Sequence, residues 1–539
     1  MRKAGLYLFF LLLLCAGCAV IQAPGGGDPD RKPPYAKKYV PDSAALNFSA
    51  KKITITFSEY ITVTDLRNQL IVSPPMDQAP EIQARGKDLI IKLDDTLRPN
   101  TTYTINFGNA IRDITEGNAA DNFRYVFSTG PVIDSLHASG KVVNAFSNTG
   151  EKNVMVMLYD VAEDSAPFKR RPVYFTKTKD DGSFRLGNLH EGRYKVFALT
   201  DADNDYLYDG GEERIAFMDS LLVLNGNVDS LKLRLFREDK GKPGLKKTSY
   251  QLPGKILLEF GQPLKEPAVD ALRPLPDSTS ARLEVGVKKD TLIYWLHRYA
   301  GDSLYLRISD GGKAIDTAGI RIVKPEKRKG KGSEDTRKLS LSANVVRDGK
   351  LNLRQPLVLK TNTPLASWRF EKIELRKGKD KVAAKIELDK STNRSFSIDA
   401  QLEEDSSYAL FIPPNALTDF FGQKNDSLLL PFSVRRYTDY GSVNLSLKKF
   451  PEGKHYILQL LDEKAAVLKE SAVEKETKLS FDLLLPGSYG LRLIEDANAN
   501  GKWDSGDYLS KRQPEKVMYY SGALKVRAGW DMDVEWNLK

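Results

Sequence analysis

The run Asn100-Thr-Thr-Tyr103-Thr-Ile-Asn-Phe107-Gly-Asn109-Ala-Ile-Arg-Asp113-Ile-Thr-Glu-Gly117, followed by an alternating stretch over 123–127, decides the fold. A tyrosine opens a strand of period two, then Asn, Asp and Gly close a turn before the next strand. The same order returns as Asp405-Ser-Ser-Tyr408-Ala-Leu-Phe-Ile-Pro-Pro-Asn415-Ala-Leu-Thr-Asp419-Phe-Phe-Gly422, before a run at 428–434. A weaker third copy is Asp302-Ser-Leu-Tyr305-Leu-Arg-Ile-Ser-Asp310, continuing to Asp316-Thr-Ala-Gly319. Each is preceded by a strand that ends at a polar or proline break, at 53–57, 256–260 and 357–360. A Tyr-led strand feeding an Asp/Gly turn has the chemistry of a sandwich corner.

A different unit occurs twice. Gly182-Ser-Phe184-Arg-Leu-Gly-Asn-Leu189-His-Glu-Gly192-Arg-Tyr194-Lys-Val-Phe197 is echoed by Leu479-Ser-Phe481-Asp-Leu-Leu-Leu-Pro486-Gly487-Ser-Tyr489-Gly-Leu-Arg-Leu493. In both, an acidic loop begins seven residues after the tyrosine, at Asp201 and Asp496. Outward from these repeats, short alternating runs recur every 8–12 residues with turn residues between them, and no long capped amphipathic helix interrupts them. The reading is all-β: tandem β-sandwich domains of two kinds in an extended multi-domain chain. The first kind resembles Ig-like domains and the second is similar to the prealbumin-like (Cna-B type) fold, and these resemblances name the modules below.

The expected boundaries follow. A signal peptide over 1–17 precedes a flexible tether over 18–33. An Ig-like module spans 34–130 and a prealbumin/Cna-B-like module 131–237. A divergent Ig-like module at 238–325, a basic linker at 326–337 and a further Ig-like module at 338–435 come next. A second prealbumin/Cna-B-like module, 436–539, completes the chain. The linker region has no apolar residue and reads as solvated spacer.

Composition excludes several classes. The chain has 539 residues, 41% hydrophobic and 28% charged, the balance of a folded chain. Its only cysteines are Cys15 and Cys18, too few for a disulfide scaffold or a zinc ribbon. Its four histidines, His137, His190, His297 and His455, are scattered and have no motif partner. The net charge of +10 is spread among acids, so no nucleic-acid footprint is visible. No nucleophile elbow, zinc-protease or phosphate-loop pattern occurs in its proper context. Glu59, Asp113 and Asp419 sit in repeated structural units, so turn or strand-face duty is expected of them rather than catalysis. An enzyme is not expected.

The N-terminus carries Arg2 and Lys3, an apolar run from Leu6 to Leu14, and then Cys15-Ala16-Gly17-Cys18. Nine apolar residues are too few to span a bilayer. Small residues before a cysteine at this place resemble the lipobox of bacterial lipoproteins. That resemblance implies cleavage before Cys18 and acylation of Cys18, which becomes the mature N-terminus. Cys15 departs from the usual leucine. Several acyl chains at about 0.8 kcal/mol per buried CH₂ make such attachment lasting.

Ile53-Thr-Ile-Thr-Phe-Ser-Glu-Tyr60, Ile71-Val-Ser-Pro-Pro75 and Leu97-Arg-Pro-Asn-Thr-Thr-Tyr-Thr-Ile-Asn-Phe107 resemble the bacterial Ig-like domain of the S-layer protein SbsA. The whole chain resembles an Ig-like-domain lipoprotein of the Bacteroidetes. The resemblance implies an outer-membrane lipoprotein, facing the periplasm or the cell surface, with a structural, adhesive or assembly role. Its implied partners are the membrane, through the lipid, and envelope proteins or glycans. The alternative is a carbohydrate- or peptidoglycan-binding lipoprotein, for which Trp368, Trp503, Trp530 and Trp536 would be stacking platforms.

The strongest chemical signal is the pair of acidic loops. Asp201, Asp203, Asp205, Leu207, Asp209 and Glu212 take positions 1, 3, 5, 7, 9 and 12 of a calcium loop. Asp496, Asn498, Asn500, Lys502, Asp504 and Asp507 repeat the spacing. Gly501 holds the sharp-turn position of the second loop, where the first has Tyr206. A structural calcium ion is one reading. Asx-rich turns without metal are the other.

Overall fold

The computed structural model describes residues 30–538 apart from 121–122, 204, 240–242, 324–337 and 347. The expected signal peptide, Cys18, most of the expected tether and all of the expected basic linker at 326–337 lie outside the described residues. Among the described residues the regular secondary structure is almost entirely strand, with only short helical turns such as Leu66–Gln69 and Ala166–Lys169. It divides into two compact units, Met1–Arg237 with Tyr508–Lys511, and Glu238–Asp507 with Arg512–Lys539.

The first unit holds two sandwiches. In the first sandwich, Ala36–Val40, Lys52–Phe57, Asp88–Lys92 and Glu81–Arg85 form one sheet in that order. Ile71–Ser73, Thr102–Asn106 and Arg124–Ser128 form the facing sheet. Strict alternation sends Ile53, Ile55 and Phe57 inward against Tyr103, Ile105, Tyr125 and Phe127. Full burial of each such side chain contributes roughly 1.5–3 kcal/mol. The tyrosine that opens the repeat makes a corner: the Tyr103 hydroxyl accepts the Arg98 N–H at 2.9 Å, and Tyr408 does the same for Glu403 at 2.9 Å in the later copy.

Asp113 fulfils the structural expectation. It is buried and accepts the N–H groups of Glu116 (2.7 Å), Gly117 (2.8 Å) and Asn118 (2.9 Å). Burial works to raise its carboxyl pKa, but these bonds outweigh burial and hold it below the usual carboxylate range. Asp419 closes the equivalent turn, accepting Phe421 N–H (3.0 Å), Gln423 N–H (2.7 Å) and the Thr363 hydroxyl (2.7 Å).

In the second sandwich, Leu136–Asn144 lies between Ser183–Leu189, antiparallel to it, and Val228–Leu235, parallel to it. The facing sheet runs Tyr174–Lys177, Met155–Tyr159, Gly192–Leu199, Ile215–Phe217. Met155–Tyr159 is buried on both faces: Val156 and Leu158 enter the core, while Met155, Met157 and Tyr159 point the other way. On that outer face the Tyr508 ring lies 5.1 Å from both Phe197 and Phe217.

The second unit holds three further cores, built around 245–322, 339–434 and 443–538. The last repeats the mixed topology, with Gly441–Lys448 between Thr477–Leu484 and the parallel Asp531–Asn537.

The third repeat departs from expectation. Tyr305 is exposed, because Leu304, Leu306 and Ile308 are the inward residues of Ser303–Asp310. Asp316 and Gly319 form no corner and lie within the strand Lys313–Arg321, whose pairing shifts register beside Asp316. A tight turn at Gly311 and Gly312, both at positive φ, returns the chain directly and leaves no corner to close.

Inside this unit the 238–325 and 338–435 modules meet at a polar joint. Glu284, buried, accepts Trp295 Nε1–H and Arg394 Nη1–H, each at 2.9 Å. The Arg394 guanidinium also lies over the Trp295 ring at 5.5 Å. Arg282 donates to the Lys390 carbonyl at 3.1 Å. The Asp419 turn presents Phe420 and Phe421, and the Phe421 ring lies 5.4 Å from His297 and 6.2 Å from Trp295. Gly254 leaves room for this contact: a Cβ there would sit 1.9 Å from the Leu296 carbonyl and 3.1 Å from Phe421.

Candidate acidic-loop sites

Both acidic loops emerge from the strand that the Gly-turn and tyrosine begin. Tyr194 donates its hydroxyl to the His190 carbonyl at 2.9 Å, and Tyr489 to the Leu485 carbonyl at 2.7 Å. This fixes the start of Gly192–Leu199 and of Gly487–Glu495, and each loop leaves the far end of its strand.

Asp201 accepts the Tyr206 N–H at 2.8 Å, and Asp205 the Leu207 N–H at 2.7 Å. In the second loop Asp496 accepts the N–H groups of Asn500 (3.0 Å) and Gly501 (2.8 Å). Tyr206 and Gly501 take the same left-handed conformation, φ 69° and 77°. Glycine does so freely, whereas a tyrosine is strained there. Tyr206 is held by its ring, edge-on to Phe175 at 5.0 Å and beneath the Arg171 guanidinium at 5.7 Å.

The carboxylate that closes each loop is not the one the spacing assigned. Glu212 is turned away and pairs with Arg237 at 2.7 Å. The next residue, Glu213, faces inward and accepts the N–H groups of Ala202 (3.2 Å) and Asp209 (3.0 Å). In the second loop Asp507 exchanges backbone bonds with Arg512, and Glu515 accepts the N–H groups of Ala497 and Asp504, both at 2.8 Å. Glu213-Arg-Ile and Glu515-Lys-Val therefore correspond, and the second loop carries an insertion between Asp504 and Glu515 that contains Tyr508. The signal that marks Glu213 and Glu515 in sequence is the β-branched strand start that follows each, at Ile215 and Val517.

Burial pushes the Glu213 carboxyl above its ordinary range, and the negative charges of Asp201 and Asp209 add to this against two N–H bonds. Glu515 is raised for the same first reason, with Asp504 and Asp496 adding to it. The loops then diverge. In the first, carboxylate oxygens of Asp201, Asp203 and Asp205 lie within 4.8 Å of one another. In the second, side-chain amides of Asn498 and Asn500 both donate to Asp504 at 2.6 Å, and the Lys502 ammonium lies 3.6 Å from it. A hard cation requires converging oxygens. The first loop supplies them, while the second satisfies its own acid internally.

Of the tryptophans, Trp503 is anchored by its Nε1–H to the Glu515 carbonyl at 3.0 Å. Trp536 packs edge-on to Tyr520. Trp368 stacks on Phe370 and stays exposed, and Trp530 is exposed beneath Arg527. A cleft of about 620 Å³ opens between the two sheets of the 338–435 module, lined by Ile373, Leu375, Ile398 and Leu410 together with the charged Glu371 and Lys381. His190 pairs with Asp134 at 2.8 Å and His455 with Glu474 at 3.3 Å, both on the surface.

Residues 30–129 match the family model of the bacterial Ig-like domain. No curated protein matches the chain. Among solved structures, the chain is similar to BcpA, the major pilin subunit of Bacillus cereus. That pair shows 10% identity, 74% of this chain and 99% of that one, and a TM-score of 0.14. It is also similar to the S-layer protein SbsC, with 11% identity, 91% and 66% coverage and a TM-score of 0.14. A third is SGBP-B of the Bacteroides ovatus mixed-linkage glucan utilization locus, solved with a heptasaccharide. There the identity is 11%, coverage 64% and 87%, and the TM-score 0.18. The chain is a multidomain protein of tandem β-sandwiches with an Ig-like domain at its N-terminal end.

Proposed function

We propose that this chain is a non-enzymatic cell-envelope protein, anchored through lipid on Cys18, with a structural, adhesive or assembly role. The observation that supports it is the succession of separate sandwich cores, the first an Ig-like domain. Successive sandwiches offer surfaces and strand edges to partners. The resemblance to Bacteroidetes lipoproteins with SbsA-type Ig-like domains belongs to this reading, as does attachment to the outer membrane. Protease shaving of intact cells tests the orientation: rapid loss of the protein favours a surface adhesive role, and protection favours a periplasmic scaffold.

The second reading, a carbohydrate- or peptidoglycan-binding lipoprotein, draws on the exposure of Trp530 and Trp368. An apolar ring face beside a guanidinium suits sugar stacking and hydroxyl recognition. Binding to a glycan array that Trp530→Ala abolishes would favour this reading. A structural calcium ion in the Asp201 loop is compatible with either role, since three convergent carboxylates beside Glu213 are the chemistry such an ion neutralises.

A further inference from the structure

Four chain segments converge at one end of the first sandwich. Tyr35 precedes Ala36–Val40, Ser58-Glu59-Tyr60 follows Lys52–Phe57, Gly86-Lys87 joins Glu81–Arg85 to Asp88–Lys92, and Ile114 opens the turn after Ile111–Asp113. They are tied together by backbone bonds: Ser58 N–H to Tyr35 O (2.9 Å), Ile114 N–H to Tyr60 O (3.2 Å) and Ile61 N–H to Gly86 O (2.9 Å). On this fixed platform stand Tyr35, Tyr60 and Ile114, 63%, 62% and 60% exposed. Lys37 lies over the Tyr35 ring at 6.0 Å and Lys87 over the Tyr60 ring at 5.4 Å.

The equivalent corner of the 338–435 module carries an apolar tip too, Phe420-Phe421, but there Trp295 and His297 cover it. The tip at Ile114 is left bare. Beside it stand Tyr35, Tyr60, Lys37 and Lys87, with Glu59 and Glu116 in the same segments; the paired tyrosines and lysines are residue types that serve at a membrane interface. Tyrosine places its ring among acyl chains and its hydroxyl among headgroups. Lysine ammonium groups are drawn to anionic headgroups. The chain also enters at this end, where Asn118 Nδ2 donates to the Asp30 carbonyl at 2.8 Å. Asp30 follows Cys18 by twelve residues, a reach of at most about 40 Å when fully extended.

We propose that the Tyr35–Tyr60–Ile114 end of the first sandwich docks on an anionic lipid surface, with Lys37 and Lys87 contacting headgroups. Its orientation toward the anchored membrane rests on the lipid-anchor reading, but the chemistry of the patch does not. The test separates the two. The full chain lacking only residues 1–17 and carrying Cys18→Ala, so without lipid, is sedimented with vesicles of phosphatidylethanolamine and phosphatidylglycerol, or of phosphatidylcholine alone. Partition onto the anionic vesicles is expected, reduced in high salt. Tyr35→Ser with Tyr60→Ser and Ile114→Ser should lower it at least about tenfold, and Lys37→Gln with Lys87→Gln by about tenfold. Unchanged melting of these surface variants shows that the fold is retained. Equal partition of wild type and variants, or no partition at all, would overturn the proposal. So would a loss of self-association in the variants with no change in vesicle binding, which would assign the patch to a second copy of the chain.

Discussion

Replacing Arg394 by methionine should open the joint between the 238–325 and 338–435 modules. The change removes the guanidinium that donates to Glu284 at 2.9 Å and covers the Trp295 ring. Glu284 stays buried with the Trp295 N–H as its remaining partner in this joint. Breaking a buried pair by deleting one member costs about 3–5 kcal/mol, because the other charge is left uncompensated. Glu284→Leu combined with Arg394→Met removes both charges and should restore much of that loss. The chain has several cores and will not unfold in one step, so a local readout is required. Hydrogen exchange of Thr291–His297 and Ser280–Val285 in the full chain supplies it. A loss of about 3–5 kcal/mol corresponds to protection lower by about two to four orders of magnitude in Arg394→Met, with partial recovery in the double variant. Equal protection in wild type and Arg394→Met would show that the joint does not hold these modules.

Asp113→Ala should destabilise the first sandwich by about 2–4 kcal/mol, through three backbone N–H groups left without their acceptor. Because the folded Asp113 pKa lies below its ordinary value, its contribution is full above about pH 5 and is lost as pH falls through the folded pKa. Melting wild type and Asp113→Asn at pH 7 and pH 3 should therefore give a gap that narrows in acid. Calcium at a hundred times its dissociation constant should stabilise the 131–237 module by about 2.7 kcal/mol, and Asp201→Asn with Asp205→Asn should erase the effect. The Asp496 loop should respond less, since Asn498, Asn500 and Lys502 already serve Asp504. Identical melts in calcium and chelator would make both loops plain turns.

The sandwiches were legible because period-two alternation writes the core face directly into the chain, as at Ile53, Ile55 and Phe57. Tyr103 and Tyr408 were legible as corners for the same reason: each is an inward residue at the start of its strand. The alignment of Tyr305 with them fails by one position, which in a strand means the opposite face. The acidic loops could be placed from the offset after Tyr194 and Tyr489, but not their closing acids. Glu212 and Glu213 are adjacent, and only the direction of the chain into Ile215–Phe217 decides which one turns inward. The joint at Glu284, Trp295 and Arg394 was invisible because its members lie up to 110 positions apart and share no motif.

Lipid attachment at Cys18 is decided by growing cells that express the chain with radioactive palmitate, then separating membrane and soluble fractions. Wild type should carry the label and sediment with the outer membrane, while Cys18→Ala should lose the label. An unlabelled wild-type protein recovered in the soluble fraction would contradict a lipid-anchored envelope role.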